Sequence, residues 1–199
     1  MDIIKFDLDT HSARRAAELI VGAYGAGLTN INSTEDTVEG LIRAGGNFLG
    51  HEHMYVSLTN GNICGLIIGY TGKSDGTLKA LFHLLTELRL RELLNHIVLN
   101  AELFHTGYTP LLSEDDFYIS VVVVDEEQRG MGLGTSLVQK AIEIAREKRC
   151  SKVVLDVDAE NGAAVELYQK FGFTFSDNNP KLLNGALPSK IYTMEYRID

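Results

Sequence analysis

The sequence predicts an α/β fold (α+β by some schemes) with a mixed central sheet, on the strength of three observations. A strand rich in β-branched residues at 117–124 leads through a glycine-rich turn into a long helix, and a second strand and helix follow at 153–157 and 162–171. This alternation predicts parallel strands joined by a right-handed crossover. Hairpin-connected strands nearer the two ends predict antiparallel neighbours. The length of 199 residues, 45% of them apolar, suits a single domain over 1–199 with a sizeable core.

The first elements are a short strand and two helices. The strand is expected at 3–7, and the helix after it has Ser12 as its cap. Its apolar stripe consists of Ala16, Leu19, Ile20 and Ala23. Residues 25–32 are predicted to form a loop. The second helix is expected from about 34 to 43, with Gly45-Gly46 marking its end.

A hairpin and a leucine-rich helical insert come next. Strands are expected at 54–58 and 63–70, on either side of Asn60-Gly61, because both turn residues tolerate a positive φ. After a loop at 72–76, apolar residues recur every three or four positions over about 77–105, which predicts one or two helices. Further leucines lie off the main stripe, so this insert is expected to be covered by the core, a ligand or a second subunit.

The C-terminal part is predicted to contain the long helix and further short strands of the sheet. A loop is expected at 125–129, and the long helix after it should end near residue 148. Short strands are predicted at 173–175 and 191–198. The connection between them holds Pro180, Gly185 and Pro188 and is predicted to be a loop.

Composition limits the classes of partner and the compartment. The 18 basic and 27 acidic residues give a net charge of −9, which argues against nucleic acid or an anionic membrane as a partner. There is no apolar run of about 20 residues and no cationic leader, so a cytoplasmic protein is expected. Cys64 and Cys150 lie far apart, which excludes a disulfide framework.

The glycine-rich turn is the most informative motif. Arg129-Gly130-Met131-Gly132-Leu133-Gly134 follows a buried strand and opens a helix. The start of a helix has unpaired N–H groups and partial positive charge, and glycines let an anion approach them. The segment therefore predicts a phosphate or pyrophosphate site, with a tight turn as the plainer alternative. The spacing does not fit a dinucleotide fingerprint, and Gly72-Lys73-Ser74 lacks the earlier glycine of a P-loop.

Two motifs together resemble the GCN5-related N-acetyltransferase (GNAT) superfamily. The turn matches the signature [QR]-x-x-G-x-[GA] of that superfamily. Residues 155–173 resemble its second hallmark, with a strand, Asn161, an A-x-x-L-Y helix ending at Tyr168, and the Gly172-Phe173 turn. The similarity covers a cofactor-binding core at about 117–175, and the N-terminal third agrees only in the order of its elements.

The resemblance implies the GNAT fold, with acetyl-CoA in a cleft between splayed parallel strands at 117–124 and 153–157. The backbones of Val122 and Val124 would bond the pantetheine, and residues 129–134 would hold the pyrophosphate. Asn161 would contact the cofactor or simply cap its helix, and Tyr168 would protonate the departing thiolate or be a core tyrosine. The implied cofactor residues are Val122, Val123, Val124, Arg129, Gly130, Met131, Gly132, Leu133, Gly134, Thr135, Asn161 and Tyr168.

The general base is a part of this assignment for which several residues compete. An attacking amine needs to be neutral, whereas a lysine-like amine has a pKa of about 10.4. Asp156 resembles the acidic residue proposed as the base in the branch that acetylates ribosomal-protein N-termini. The competing candidates are Glu114, Asp115, Asp116, His83 and His105. No metal is expected, because His51-x-His53 lacks a supporting cysteine or aspartate and is interpreted as a surface pair.

The resemblance implies acetyl transfer from acetyl-CoA to a primary amine by direct attack in a ternary complex. The alternative is a catalytically inactive acetyl-CoA-binding sensor or regulatory domain. The acceptor amine is not identified, although the N-terminal third and the insert should shape its pocket. The insert would also suit a homodimer interface. Six acidic residues and no basic one lie between 114 and 127, and we expect them to favour a cationic amine near the cleft.

Overall fold

A single mixed sheet with helices on both faces forms the framework. The computed structural model describes residues 2–28, 35–72, 112–176, 181–182 and 190–199. The strands within these residues are β1 (Ile3–Lys5), β2 (Met54–Thr59), β3 (Asn62–Thr71), β4 (Asp116–Val124), β5 (Lys152–Asp158), β6 (Thr174–Phe175), β7 (Lys181–Leu182) and β8 (Lys190–Arg197). The helices are α1 (Ala13–Leu28), α2 (Glu35–Ala44), α3 (Leu133–Glu147) and α4 (Gly162–Phe171).

The strand order of the sheet is β1-β2-β3-β4-β5-β8-β6, and β7 pairs with β8 beside this path. The pair β4–β5, which α3 connects, is parallel. The other pairs are antiparallel, from β1–β2 to β3–β4 on one side and around β8 on the other. The predicted fold class, a mixed central sheet with flanking helices, is therefore confirmed.

Two hydrophobic clusters lie on the two faces of the sheet. Ile67 of β3 belongs to the cluster under α3 and α4, whereas its neighbours Leu66 and Ile68 belong to the cluster under α1 and α2. This division follows from the strand geometry, since successive side chains point to opposite faces. We therefore call one side of the sheet the α1 and α2 face and the other side the α3 and α4 face.

Local signals located most element ends correctly. Ser12 Oγ accepts the Arg15 N–H at 3.1 Å, as the predicted cap requires. Asn60 and Gly61 have φ values of 51° and 81° in the hairpin turn. The predicted loop at 25–32 is wrong in its first half, because α1 continues to Leu28. A glycine costs a helix only about 1 kcal/mol relative to alanine, so the glycines at 25 and 27 do not end it.

Two further differences concern short elements. The predicted loop at 125–129 contains a turn of 3-10 helix, Glu126–Gln128. The strand β7 lies in a segment predicted as loop, because a two-residue strand is too short to show an alternating pattern. The predicted helical insert lies outside the described residues, as do His83 and His105.

Candidate active site

The cleft begins where the two parallel strands separate. β4 and β5 pair only as far as Ile119 and Leu155. At that point β4 carries a bulge, because Ile68 of β3 pairs with Val121 while Gly69 pairs with Ile119. The extra residue in β4 is therefore Ser120, and a bulge bends its strand and increases the local twist. A cleft of about 1230 Å³ opens between the two strands beyond this position.

The backbone of β4 beyond the bulge alternates between β3 and the cleft. The Asp125 N–H donates to Cys64 O of β3 at 2.9 Å. Because backbone groups alternate in direction along a strand, Val123 also faces β3, and the backbones of Val122 and Val124 face the cleft. Arg129 Nε donates to Val124 O at 3.4 Å, which agrees with this direction. All three valines line the cleft.

The glycine loop lies at one end of the cleft. Gly130 and Gly132 have φ values of 78° and 83°, which lie in the region that favours glycine. Gly132 is the N-cap of α3, and the first helical bond runs from Ser136 N–H to Gly132 O at 3.1 Å. The N–H groups of Leu133, Gly134 and Thr135 therefore begin the helix without intrahelical partners.

The side chains of this loop differ in position. The residues that line the cleft are Arg129, Gly130, Gly132, Leu133, Gly134 and Thr135. Met131 is the exception, since it lies outside the cleft lining with 61% of its surface exposed. Arg129 Nη1 lies 3.4 Å from Glu126 Oε1 at the lip of the cleft. The loop thus offers mainly backbone N–H groups and one cation.

Two of the predicted site residues, the N-cap of α4 and a tyrosine within α4, reach the cleft, and each also has a structural role. Asn161 is the N-cap of α4, and its Oδ1 accepts the Ala164 N–H at 3.1 Å. Tyr168 is 7% exposed and packs against Phe173, with ring centroids 5.7 Å apart. Both line the cleft. Asn161 is therefore a helix cap and Tyr168 is a core tyrosine, as the plainer alternatives predict. Both residues are also accessible from the cleft.

Asp156 approaches the cleft from the other face of the sheet. Its neighbours Leu155 and Val157 pack in the α3 and α4 cluster together with Tyr168, so alternation places Asp156 on the α1 and α2 face. Asp156 Oδ2 accepts the Tyr118 hydroxyl at 3.2 Å, and Oδ1 accepts the Thr193 hydroxyl. Asp156 also lines the cleft. The carboxylate and the Tyr168 side chain therefore reach the cleft from opposite faces.

An aromatic pair flanks this carboxylate. Tyr70 and Tyr118 are cross-strand partners with ring centroids 5.7 Å apart. Burial, aided by the negative charge of Asp156, raises the pKa of Tyr70 to about 12, so Tyr70 is a neutral phenol at physiological pH. The residues around Asp156 that the sequence reasoning missed are Tyr70, Tyr118 and Thr193. They carry no motif, and only the strand register brings them together.

The other acidic candidates lie at the far end of β4. Asp116 begins the strand, where β4 still pairs with β5, and its Oδ2 accepts the Ser113 N–H at 2.8 Å. Glu114 and Asp115 precede it, and none of the three lines the cleft. The six acidic residues at 114–127 therefore form two groups separated by the length of β4. Only the group beginning at Asp125 lies at the cleft end of the strand.

The two histidines singled out as a surface pair have local partners. His51 Nδ1 lies 2.9 Å from Ile42 O, and His53 Nε2 lies 3.5 Å from Glu52 Oε1. Burial lowers the pKa of His53. In the part of the chain described here, no group of three His, Cys, Asp or Glu side chains is placed to hold a metal ion. Cys64 and Cys150 are both buried, and they do not form a disulfide bond.

No helix within the described ranges has the length and apolar character that are needed to span a bilayer.

Comparison with known proteins gives short sequence matches. Human N-alpha-acetyltransferase 30 is 43% identical over 56 residues, which are 28% of this chain and 16% of that protein. Mycothiol acetyltransferase from Corynebacterium aurimucosum is 34% identical over 76 residues, which are 38% of this chain and 24% of that protein. The chain thus matches a quarter or less of the length of these curated relatives.

The structural and family matches extend much further. The crystal structure of an N-acetyltransferase from Staphylococcus aureus Mu50 superposes with a TM-score of 0.73 and 20% identity, covering 98% of this chain and 100% of that one. This likeness confirms the GNAT fold. The sequence model of the acetyltransferase (GNAT) family matches residues 29–173. Since this match spans well over half of the chain, and the fold agrees with it, the chain belongs to the GNAT acetyltransferase family.

Proposed function

We propose that the chain transfers an acetyl group from acetyl-CoA to a primary amine by direct attack in a ternary complex. The observation that carries the proposal is one continuous cleft, which runs from the separation of β4 and β5 to the glycine loop and the start of α3. Membership of an acetyltransferase family supports the same reaction. The short matches to named relatives support an amine acceptor without specifying which one.

The cleft fits an extended molecule with an anionic centre. The pyrophosphate of CoA would accept hydrogen bonds from the N–H groups at the start of α3, where partial positive charge favours an anion. The pantetheine amides would pair with the backbones of Val122 and Val124, as an added strand pairs with a sheet edge. The thioester would then lie near Ser120, where the two strands part.

In this proposal Asp156 is the general base and Tyr168 is the general acid. Asp156 accepts a proton from the attacking ammonium group, and the neutral nitrogen forms a bond to the thioester carbon. The carbon–sulfur bond then breaks, and Tyr168 donates a proton to the CoA thiolate. The new amide nitrogen gives up its second proton, which restores the Tyr168 phenol, and Asp156 releases its proton to solvent. Tyr118 and Thr193 each donate to one oxygen of Asp156, which holds the carboxylate in place at the cleft.

A panel of primary amines, assayed for thiol release from acetyl-CoA, tests the reaction directly. The panel should include peptides with free N-termini, lysine side chains and small-molecule amines. Release of CoA together with an acetylated amine supports the proposal. Tight CoA binding without turnover on any amine would favour the sensor alternative. The cytoplasmic location and the homodimer remain predictions.

Substituting Tyr168 by phenylalanine should lower kcat by about tenfold and leave CoA affinity unchanged, because the departing thiol has a pKa of only about 8.5 and needs modest help. The ring and its contact with Phe173 are kept. Tyr196→Phe is the matched control, since Tyr196 also packs on Phe173 but lies outside the cleft lining. Full kcat for Tyr168→Phe across the pH range would remove its role as an acid.

Two substitutions of Asn161 should separate its cap from its contact with the cofactor. Asn161→Ala removes the cap and should lower the free energy of unfolding by about 1 kcal/mol. Asn161→Ser keeps a capping oxygen, so its stability should be close to that of the wild type. If the amide group binds CoA, calorimetry will show weaker CoA binding for both variants. Normal affinity in Asn161→Ser would leave Asn161 as a cap alone.

A further inference from the structure

A side chain outside the cleft connects α1 to the start of the cofactor loop. Arg15 forms an ion pair with Asp125 through Nη2 and Oδ2. Its Nε donates to Ile63 O at 3.3 Å, and its Nη1 lies 3.3 Å from Glu18 Oε2. Arg15 does not line the cleft. One guanidinium therefore joins α1, the β3 strand and the residue that follows β4.

Asp125 is the residue at which the loop is attached to the sheet. Its N–H donates to Cys64 O at 2.9 Å, and its carbonyl oxygen accepts the Gln128 N–H at 2.9 Å. The side chain is largely buried, with 19% exposed. Its Oδ1 accepts the Glu127 N–H at 3.0 Å while Oδ2 contacts Arg15. The same carboxylate thus holds the first turn of the loop with one oxygen and α1 with the other.

The rest of the loop has few contacts of its own. A Cβ placed on Gly130 or Gly132 would meet no atom within 4 Å, and Met131 is well exposed. The position of this segment therefore depends mainly on Asp125 at one end and α3 at the other, and Arg129 Nε adds one long hydrogen bond to Val124 O at 3.4 Å. Arg15 also offsets the charge of Asp125, which is followed directly by Glu126 and Glu127, at the end of the cleft where an anion would bind.

We propose that Arg15 is a positioning residue for CoA binding, acting through Asp125 on the loop that faces the pyrophosphate. This inference rests on the proposed function, in which that loop holds the anion. It assigns a role in cofactor affinity to a residue of α1 that contacts neither the cofactor nor the reacting atoms. It also predicts a specific kinetic pattern, because an effect on cofactor binding alone raises KM and leaves kcat unchanged.

The test compares two adjacent arginines of the same helix. Arg15→Met should weaken CoA binding by about fivefold and raise the KM for acetyl-CoA by a similar factor, as expected for a partly exposed ion pair. Arg14 is the matched control, because it pairs across to α2, with Nη2 at 2.7 Å from Glu35 Oε2. Arg14→Met should keep the wild-type CoA affinity. Thermal unfolding checks that both variants are folded.

A double-mutant cycle with Asp125→Asn tests whether Arg15 acts through Asp125. Arg15→Met should cause no further loss of CoA affinity in the Asp125→Asn background. Wild-type affinity in Arg15→Met, fully additive losses, or an equal loss in Arg14→Met would each overturn the inference. Failure of the wild-type protein to bind CoA would instead overturn the proposed function, so the two failures can be told apart.

Discussion

Replacing Asp156 by asparagine should lower kcat by about 100-fold, the range expected when a general base is removed. Asparagine has nearly the same shape and can still accept a hydrogen bond from Tyr118 or Thr193, but it cannot take a proton from the amine. The affinity for CoA should be unchanged. The residual rate should rise with pH toward the pKa of the acceptor amine, because the neutral amine then forms without a base. Initial rates of thiol release from pH 6 to pH 10 measure both effects.

Asp116→Asn is the control that separates the base from its competitors. Asp116 is buried, and its Oδ2 lies 3.8 Å from Lys152 Nζ at the paired end of β4. Removing its charge should lower the free energy of unfolding, because the ion pair between this buried carboxylate and the partly exposed Lys152 is weakened. It should leave kcat unchanged. If Asp116→Asn lost turnover while Asp156→Asn kept it, the assignment of the base would be wrong.

The parts of the site that were predictable from sequence depend on neighbours along the chain. The glycine loop requires left-handed backbone at Gly130 and Gly132, and this preference is a property of the residues themselves. Asn161 caps the helix that begins at the next residue. Tyr168 lies on an amphipathic helix of known period. Local sterics and helix geometry determine these features, so the sequence pattern was sufficient to find them.

The surroundings of Asp156 depend on contacts between distant strands. Tyr118 lies 38 residues and Thr193 lies 37 residues from Asp156 along the chain. The register of β4, β5 and β8 brings them together, and no local pattern specifies that register. The link from Arg15 to Asp125 spans 110 residues and was missed for the same reason.

The bulge at Ser120 adds a second difficulty. Before it, Phe117 and Ile119 pack under α3 and α4, and after it Val122 and Val124 do so. The exchange of faces lies at Ser120. Four valines follow it, and no polar residue among them indicates which side is buried. The sequence therefore located the strand correctly but contained no signal for the face that each valine presents, and a periodicity argument alone could not provide one.

Substituting Gly132 by valine should weaken CoA binding by about 100-fold. Gly132 has a φ of 83°, a left-handed conformation that costs an L-residue roughly 1–2 kcal/mol and that β-branched residues rarely adopt. The backbone would relax away from it and turn the first N–H groups of α3 out of the anion site. Loss of part of this site, which consists mainly of backbone donors, should therefore lower affinity strongly. Calorimetry with desulfo-CoA measures binding without turnover.

Gly61→Val is a closely matched control for this loss. Gly61 has a φ of 81°, and a Cβ there meets no atom within 4 Å, as at Gly132. Both substitutions should therefore lower the free energy of unfolding by similar amounts. Gly61 lies in the β2–β3 turn, outside the cleft lining, so its variant should bind desulfo-CoA like the wild type. Unchanged binding in Gly132→Val, or an equal loss in Gly61→Val, would show that the glycine loop does not hold the cofactor. A loss confined to Gly132→Val would separate the role of this loop in binding from the stability that both glycines provide.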